Sequence, residues 1–145
     1  IIPSHNNDGG RQSGSILIFR IETEELAQVG ANQIRVKFLA STVNPSDLNM
    51  IAGTYPGAVA PGVAGNEGVG VVEEVGNAVK NLKKGDRVFP GKYGLGMHVD
   101  RYQNLTQGTW RTQGVFEATD FFTLSGFPIE KVHPTFLSAL TVNPP

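Results

Sequence analysis

Tyr55 is the side chain best suited to acid chemistry in this sequence. It sits in a loop rich in Gly, Pro and Ala that follows Asn44-Pro45-Ser46-Asp47. A phenol held over a substrate donates a proton as carbanion character develops. The competing reading is a loop tyrosine packed on a β domain. Trp110-Arg111 is a second candidate, because a guanidinium recognises phosphate or carboxylate. Its alternative is a strand with one exposed Arg and one core Trp, which the residue types alone favour. His5, His98 and His133 lie far apart with no ligand spacing, and cysteine is absent. Neither thiolate zinc site nor disulfide framework is available to such a chain.

The elements that must position these residues follow from local patterns. Asn44 is a good N-cap, Pro45 suits the first helical position, and Asp47 favours the positive end of the helix dipole. Gly53 ends this short helix in a left-handed conformation. Gly68 to Val75 reads as a buried strand bounded by glycines. Gln33 to Leu39 alternates: Ile34, Val36 and Phe38 face one side, Arg35 and Lys37 the other, as in a half-buried strand. Ser15 to Ile21 predicts a further strand, and Arg87-Val88-Phe89 begins another. Asn77 to Asp86 is a polar turn, and 118–130 reads as loop. Residues 1–14 are polar and Gly-rich, expected as a loop or frayed end.

The chain of 145 residues is one domain's worth, and 39% apolar content suffices for a core. With Gly 18 and Pro 9, turns and β structure are favoured over a helix bundle. The net charge of −1 gives no electrostatic case for nucleic acid. No apolar run reaches the ~18 residues of a membrane span. A dinucleotide cradle needs G-x-G-x-x-G between a strand and a helix. Gly65, Gly68 and Gly70 have the wrong spacing and precede a strand. Gly94-Leu95-Gly96 lacks the third glycine.

The motifs NPSDLNMIAGTY, GNEGVGVVEEVG, LKKGDRV, GTWRT and TVNP together resemble the medium-chain dehydrogenase/reductase superfamily. More closely they resemble its mitochondrial 2-enoyl thioester reductases, the trans-2-enoyl-CoA reductases. The order and spacing of NPSD and GNEG carry most of this resemblance. It covers nearly the whole chain but about the first half of the family's protein. It implies a mainly β, GroES-like, partly open barrel with a few short helices over residues 15–145. The family's Rossmann domain would follow just past Val142-Asn143-Pro144, so the chain is expected as a truncated, substrate-side half.

The resemblance further implies NADPH as cofactor and enoyl-CoA or enoyl-ACP as substrate, in mitochondrial fatty-acid synthesis. Tyr55 falls on the family's acid. Asn143 falls on an asparagine that touches the cofactor, and Asn44 on one that contacts the nicotinamide or orients Tyr55. Trp110 and Arg111 fall near the substrate cleft. The zinc-dependent members carry Gly-His-Glu where this chain has Gly65-Asn66-Glu67, so no zinc is expected. A homodimer is expected for the complete enzyme. Residues 97–107 intervene where the family runs almost directly into TWRT. Two other functions stand beside this one: a quinone oxidoreductase of the same superfamily, and a non-catalytic short form acting as a binding module.

Overall fold

The computed structural model describes residues 20–56, 62–91, 108–124 and 127–141. The expected frayed end, most of the Ser15–Ile21 strand, the 97–107 intervening segment and Asn143 lie outside these. Arg20 and Ile21, the described end of that expected strand, are in no strand.

Among the described residues five strands form one open sheet: β1 (Gln33–Ser41), β2 (Gly68–Val75), β3 (Arg87–Pro90), β4 (Gln113–Glu117) and β5 (Phe121–Phe122). Their order is β4-β1-β2-β3-β5, and every pairing is antiparallel. Two helices accompany them, α1 (Pro45–Ile51) and α2 (Pro134–Leu137). The stretch expected as loop, 118–130, holds β5 and two single 3₁₀ turns, Ala118–Asp120 and Ile129–Lys131. Phe121 and Phe122 form strand because they pair with Pro90 and Phe89 on the sheet edge.

The alternation in β1 does what its pattern predicts. Ile34 and Val36 are fully buried, and Phe38 packs beside them with Val72, Val88 and Phe116. Phe116 sits edge-on to Phe38 at a centroid distance of 5.8 Å and tilts onto Phe121 at 5.1 Å, the offset geometries aromatic quadrupoles favour. On the solvent side Arg35 pairs with Glu74, directly opposite on β2, at 2.7 Å.

β2 and β3 do not alternate, because both of their faces are covered. Val72 and Val88 enter the core under β1. Val69 and Phe89, of opposite parity, enter a second cluster with Ile129 and Leu137. A strand buried on two sides reads as a continuous apolar run. Register shifts in β1 between Arg35 and Val36 and between Phe38 and Ala40 bring Ala40 onto the second cluster. A shift of this kind turns side chains from one face to the other.

Candidate active site at one rim of the sheet

The Ser41↔Gly68 rung of the β1–β2 ladder places the residues after β1 beside those before β2. Asn44 and Glu67 thereby become neighbours, although they are distant in sequence. Pro45 opens α1, with Asn44 in extended conformation as its N-cap. The Asn44 N–H donates to Asp47 Oδ2 at 2.8 Å, the acidic half of a capping box. Asp47 Oδ1 accepts from the Asn66 backbone N–H at 3.0 Å and from Asn66 Nδ2 at 2.7 Å.

Glu67 is the second carboxylate of this lattice and is 0% exposed. Its Oε2 accepts from Asn44 Nδ2 at 3.0 Å, and its Oε1 from the Thr141 backbone N–H at 2.8 Å. The Thr109 hydroxyl donates to the Glu67 carbonyl at 2.9 Å. Two carboxylates this deeply buried are costly unless hydrogen-bonded, and each accepts from backbone and side chain. Burial pushes the Asp47 carboxyl above its ordinary range. Donors from Asn44 and Asn66 oppose the rise, and the Glu67 charge adds to it.

The far end of α1 holds Tyr55. Gly53 adopts φ +70° after the helix, as its sequence position predicts. The Asn49 carbonyl then accepts from the Thr54 N–H at 3.0 Å, the Thr54 hydroxyl at 3.1 Å and the Tyr55 N–H at 3.2 Å. The backbone of Tyr55 is thus tied to the helix, while the residue is 37% exposed.

Trp110 braces the side of α1. It packs on Met50, Ile51 and Ala64, and its indole N–H donates to the Thr42 carbonyl at 3.0 Å. Residues 108–112 are a bend and not the expected strand. The reason is Gly65 at φ +97°, around which Gly108, Thr109 and Trp110 donate to the carbonyls of Val63, Gly65 and Ala64 out of ladder order. Any β-carbon at Gly65 would collide with the Trp110 ring.

Arg111 turns the other way. With Trp110, Thr112 and part of residues 20–26 it lines an open cleft of about 730 Å³. Burial draws the Arg111 pKa below its usual value, and the Glu24 charge opposes this. The group remains a cation at neutral pH. Among the described residues lining that cleft, Tyr55 does not appear. Asn44 caps α1, Tyr55 follows it and Trp110 packs on its side, while Trp110 also borders the cleft that Arg111 lines.

The residues present were tested against a nicotinamide cofactor. The N-terminus of α1 would be the natural seat for a phosphate, but the chain's own Asp47 carboxylate takes it. The described residues at the start of α1 thus offer no seat for the pyrophosphate. Asn66, which stands where the resemblance implies a histidine in zinc-dependent members, donates its amide N–H to Asp47 and lies 3.3 Å from Met50 Sδ. Among the described residues no three His, Cys, Asp or Glu side chains are grouped to hold a metal. His133 instead caps α2, accepting from the Thr135 N–H.

Sequence reasoning missed Glu67 as a structural centre and saw in Asp47 only a dipole effect. A signal was available: Glu67 directly precedes the valine-rich, glycine-bounded strand that reads as buried.

Comparison with known proteins agrees with this architecture. The alcohol dehydrogenase GroES-like domain family matches residues 30–125, and the chain belongs to it. The mitochondrial enoyl-[acyl-carrier-protein] reductase of Bos taurus is 38% identical over 138 residues, covering 93% of this chain and 32% of that protein. The solved Etr1p/NADP/crotonyl-CoA complex is 36% identical with a TM-score of 0.50, over 73% of this chain and 28% of that one. The same reductase is also solved as the Etr1p/Etr2p heterodimer from Candida tropicalis, 35% identical with a TM-score of 0.51, over 73% of this chain and 28% of that one. A quinone oxidoreductase from Pseudomonas syringae is 29% identical with a TM-score of 0.55, covering 73% and 29%. The chain spans about a third of the length of the curated relatives it matches. These relatives are mitochondrial enoyl reductases of the medium-chain dehydrogenase/reductase superfamily.

Proposed function

We propose that this chain is the substrate-side part of an NADPH-dependent 2-enoyl thioester reductase. The reaction is reduction of the trans-2 double bond of enoyl-CoA or enoyl-ACP in mitochondrial fatty-acid synthesis. The observation that carries this reading is Tyr55, a partly exposed tyrosine whose backbone is anchored on α1 by the Asn49 carbonyl.

Asn143 would contact NADPH, and the cofactor's chemistry there would be hydride donation to the β-carbon of the enoyl thioester. Tyr55 gives its phenolic proton to the α-carbon as negative charge builds there, and solvent reprotonates the phenolate. Asn44 is assigned to contact the nicotinamide or to orient this acid through α1, which it caps while its amide is held by Glu67. Asn143 is assigned the direct cofactor contact. Trp110 braces the acid's helix, and Arg111 meets the phosphates of the thioester carrier. The complete enzyme is read as a mitochondrial homodimer, and the 145-residue chain alone as inactive.

Tyr55→Phe in the full-length protein tests the assignment. We expect kcat on enoyl-CoA to fall by ~10²–10⁴ with little change in KM. An unchanged rate would remove Tyr55 from the mechanism. A quinone oxidoreductase is the second reading, supported by the structural likeness to the Pseudomonas syringae enzyme. Turnover of quinones with none of enoyl-CoA would select it.

A further inference from the structure

We infer that Glu67 is a positioning residue for the acid chemistry at Tyr55, locking α1 to the segment that enters residues 142–145. The inference rests on the reading of Tyr55 as the acid. Its basis is the division of labour between the two carboxylate oxygens: Oε2 takes the Asn44 amide and Oε1 takes the Thr141 N–H. The Thr141 hydroxyl lies 3.3 Å from the same Oε1. Asn44 is the N-cap of α1, and α1 carries the Tyr55 loop through the Asn49 carbonyl. Thr141 stands two residues before Asn143, the assigned cofactor contact.

A fully buried carboxylate costs more than an apolar residue in the same volume. It brings what an apolar residue cannot: two acceptors at a fixed separation, each aimed at a different segment. Thr42, two residues before Asn44, repeats the connection by donating its hydroxyl to the Ser138 carbonyl at 2.8 Å. Thr109 closes the third side by donating to the Glu67 carbonyl. The acid's helix and the segment leading to Asn143 are thus set against one another, with the two oxygens of Glu67 one in each contact.

The test is a polarity exchange across the 44–67 contact in the full-length protein. Asn44→Asp leaves helix capping intact, because Asp caps as well as Asn. It does place carboxylate against carboxylate. Glu67→Gln leaves one acceptor oxygen for two donors. In the double variant the glutamine oxygen serves Thr141 and its NH₂ serves the new carboxylate, so both contacts re-form with donor and acceptor exchanged.

We expect Asn44→Asp to lower kcat about 10-fold at constant KM, and Glu67→Gln added to it to recover most of that loss. Hydrogen exchange at the Thr141 N–H gives an independent readout. It should be faster in Asn44→Asp and slow again in the double variant. If Asn44→Asp alone does not fold, a folded and active double variant is the same rescue. Losses that multiply in the double variant, a double variant that also fails to fold, or Thr141 exchange alike in all proteins would overturn the inference. A wild-type protein inactive on enoyl-CoA would overturn the Tyr55 reading instead, while the exchange pattern would still decide the lock.

Discussion

Glu67 Oε1 lies 2.8 Å from the backbone nitrogen of Thr141, joining the start of β2 to the last described residue of the chain. That bond spans nearly the whole second half of the sequence. The other oxygen holds Asn44, so the lattice at the rim of the sheet has contributions from three distant segments. Its parts are neutral donors and buried acids, and their removal or titration yields measurable effects.

Asp47→Ala removes the acceptor for the Asn44 N–H and for both Asn66 donors. Buried donors left unpaired cost about 1–3 kcal/mol each. We expect a loss of about 3 kcal/mol or more in denaturant unfolding. The pH dependence has a definite sign. Because burial raises the folded pKa of Asp47, its contribution is fully present below the unfolded carboxyl pKa and declines as pH rises through the folded one.

Asp86 runs in the opposite direction. Burial alone would raise its pKa, but the side-chain and backbone hydrogen bonds from Lys83, with the Lys83 charge, bring it below the ordinary carboxyl range. Its stabilisation is present above the unfolded pKa and is lost as pH falls through the folded one. The Lys83 N–H donates to Asp86 Oδ2 at 2.9 Å, closing the turn before β3. Asp86→Ala should cost about 1 kcal/mol at neutral pH, and the gap to wild type should shrink on acidification in urea titrations.

Gly65→Ala should destabilise the protein by more than ~1 kcal/mol through its positive φ alone. The collision with Trp110 adds to this by pushing the indole off α1. The diagnostic measurement is Trp110 fluorescence, since the chain has Trp 1 and its signal reports this contact directly. An unshifted emission maximum would show that the indole had not moved.

Arg111→Ala should raise KM for CoA thioesters about 10-fold and leave kcat unchanged, as expected for loss of a charge-assisted contact to phosphate. The wild-type KM should rise with ionic strength, and that dependence should weaken in the variant. Equal KM values for the two proteins would reduce Arg111 to a wall of its cleft.

Much of this was legible in the sequence, for physical reasons that differ by element. β1 was readable because one face is buried and the other wet, which forces alternation. α1 was readable because Asn44, Pro45, Asp47 and Gly53 each have a positional preference. The 108–112 bend was misread as strand because it depends on Gly65, remote in sequence, and no local pattern reports that contact. β5 was missed because two residues carry no periodicity and are held by their partner strand alone. Of the candidate site, Tyr55 and Asn44 stood out through their motif. The Glu67–Thr141 bond could not be read, since nothing in a linear chain says which distant N–H a buried acid will meet.

The Ser41↔Gly68 rung has a practical consequence for anyone preparing this protein. Strand side chains repeat with a period of two, so slipping β2 by one residue would swing Glu67 to the opposite face. The slipped chain would keep its strand content and much of its circular dichroism, yet carry no lattice at the rim. Spectroscopic evidence of folding and integrity of the site are therefore separate properties, and a sample can pass the first assay while being wholly incompetent in the second.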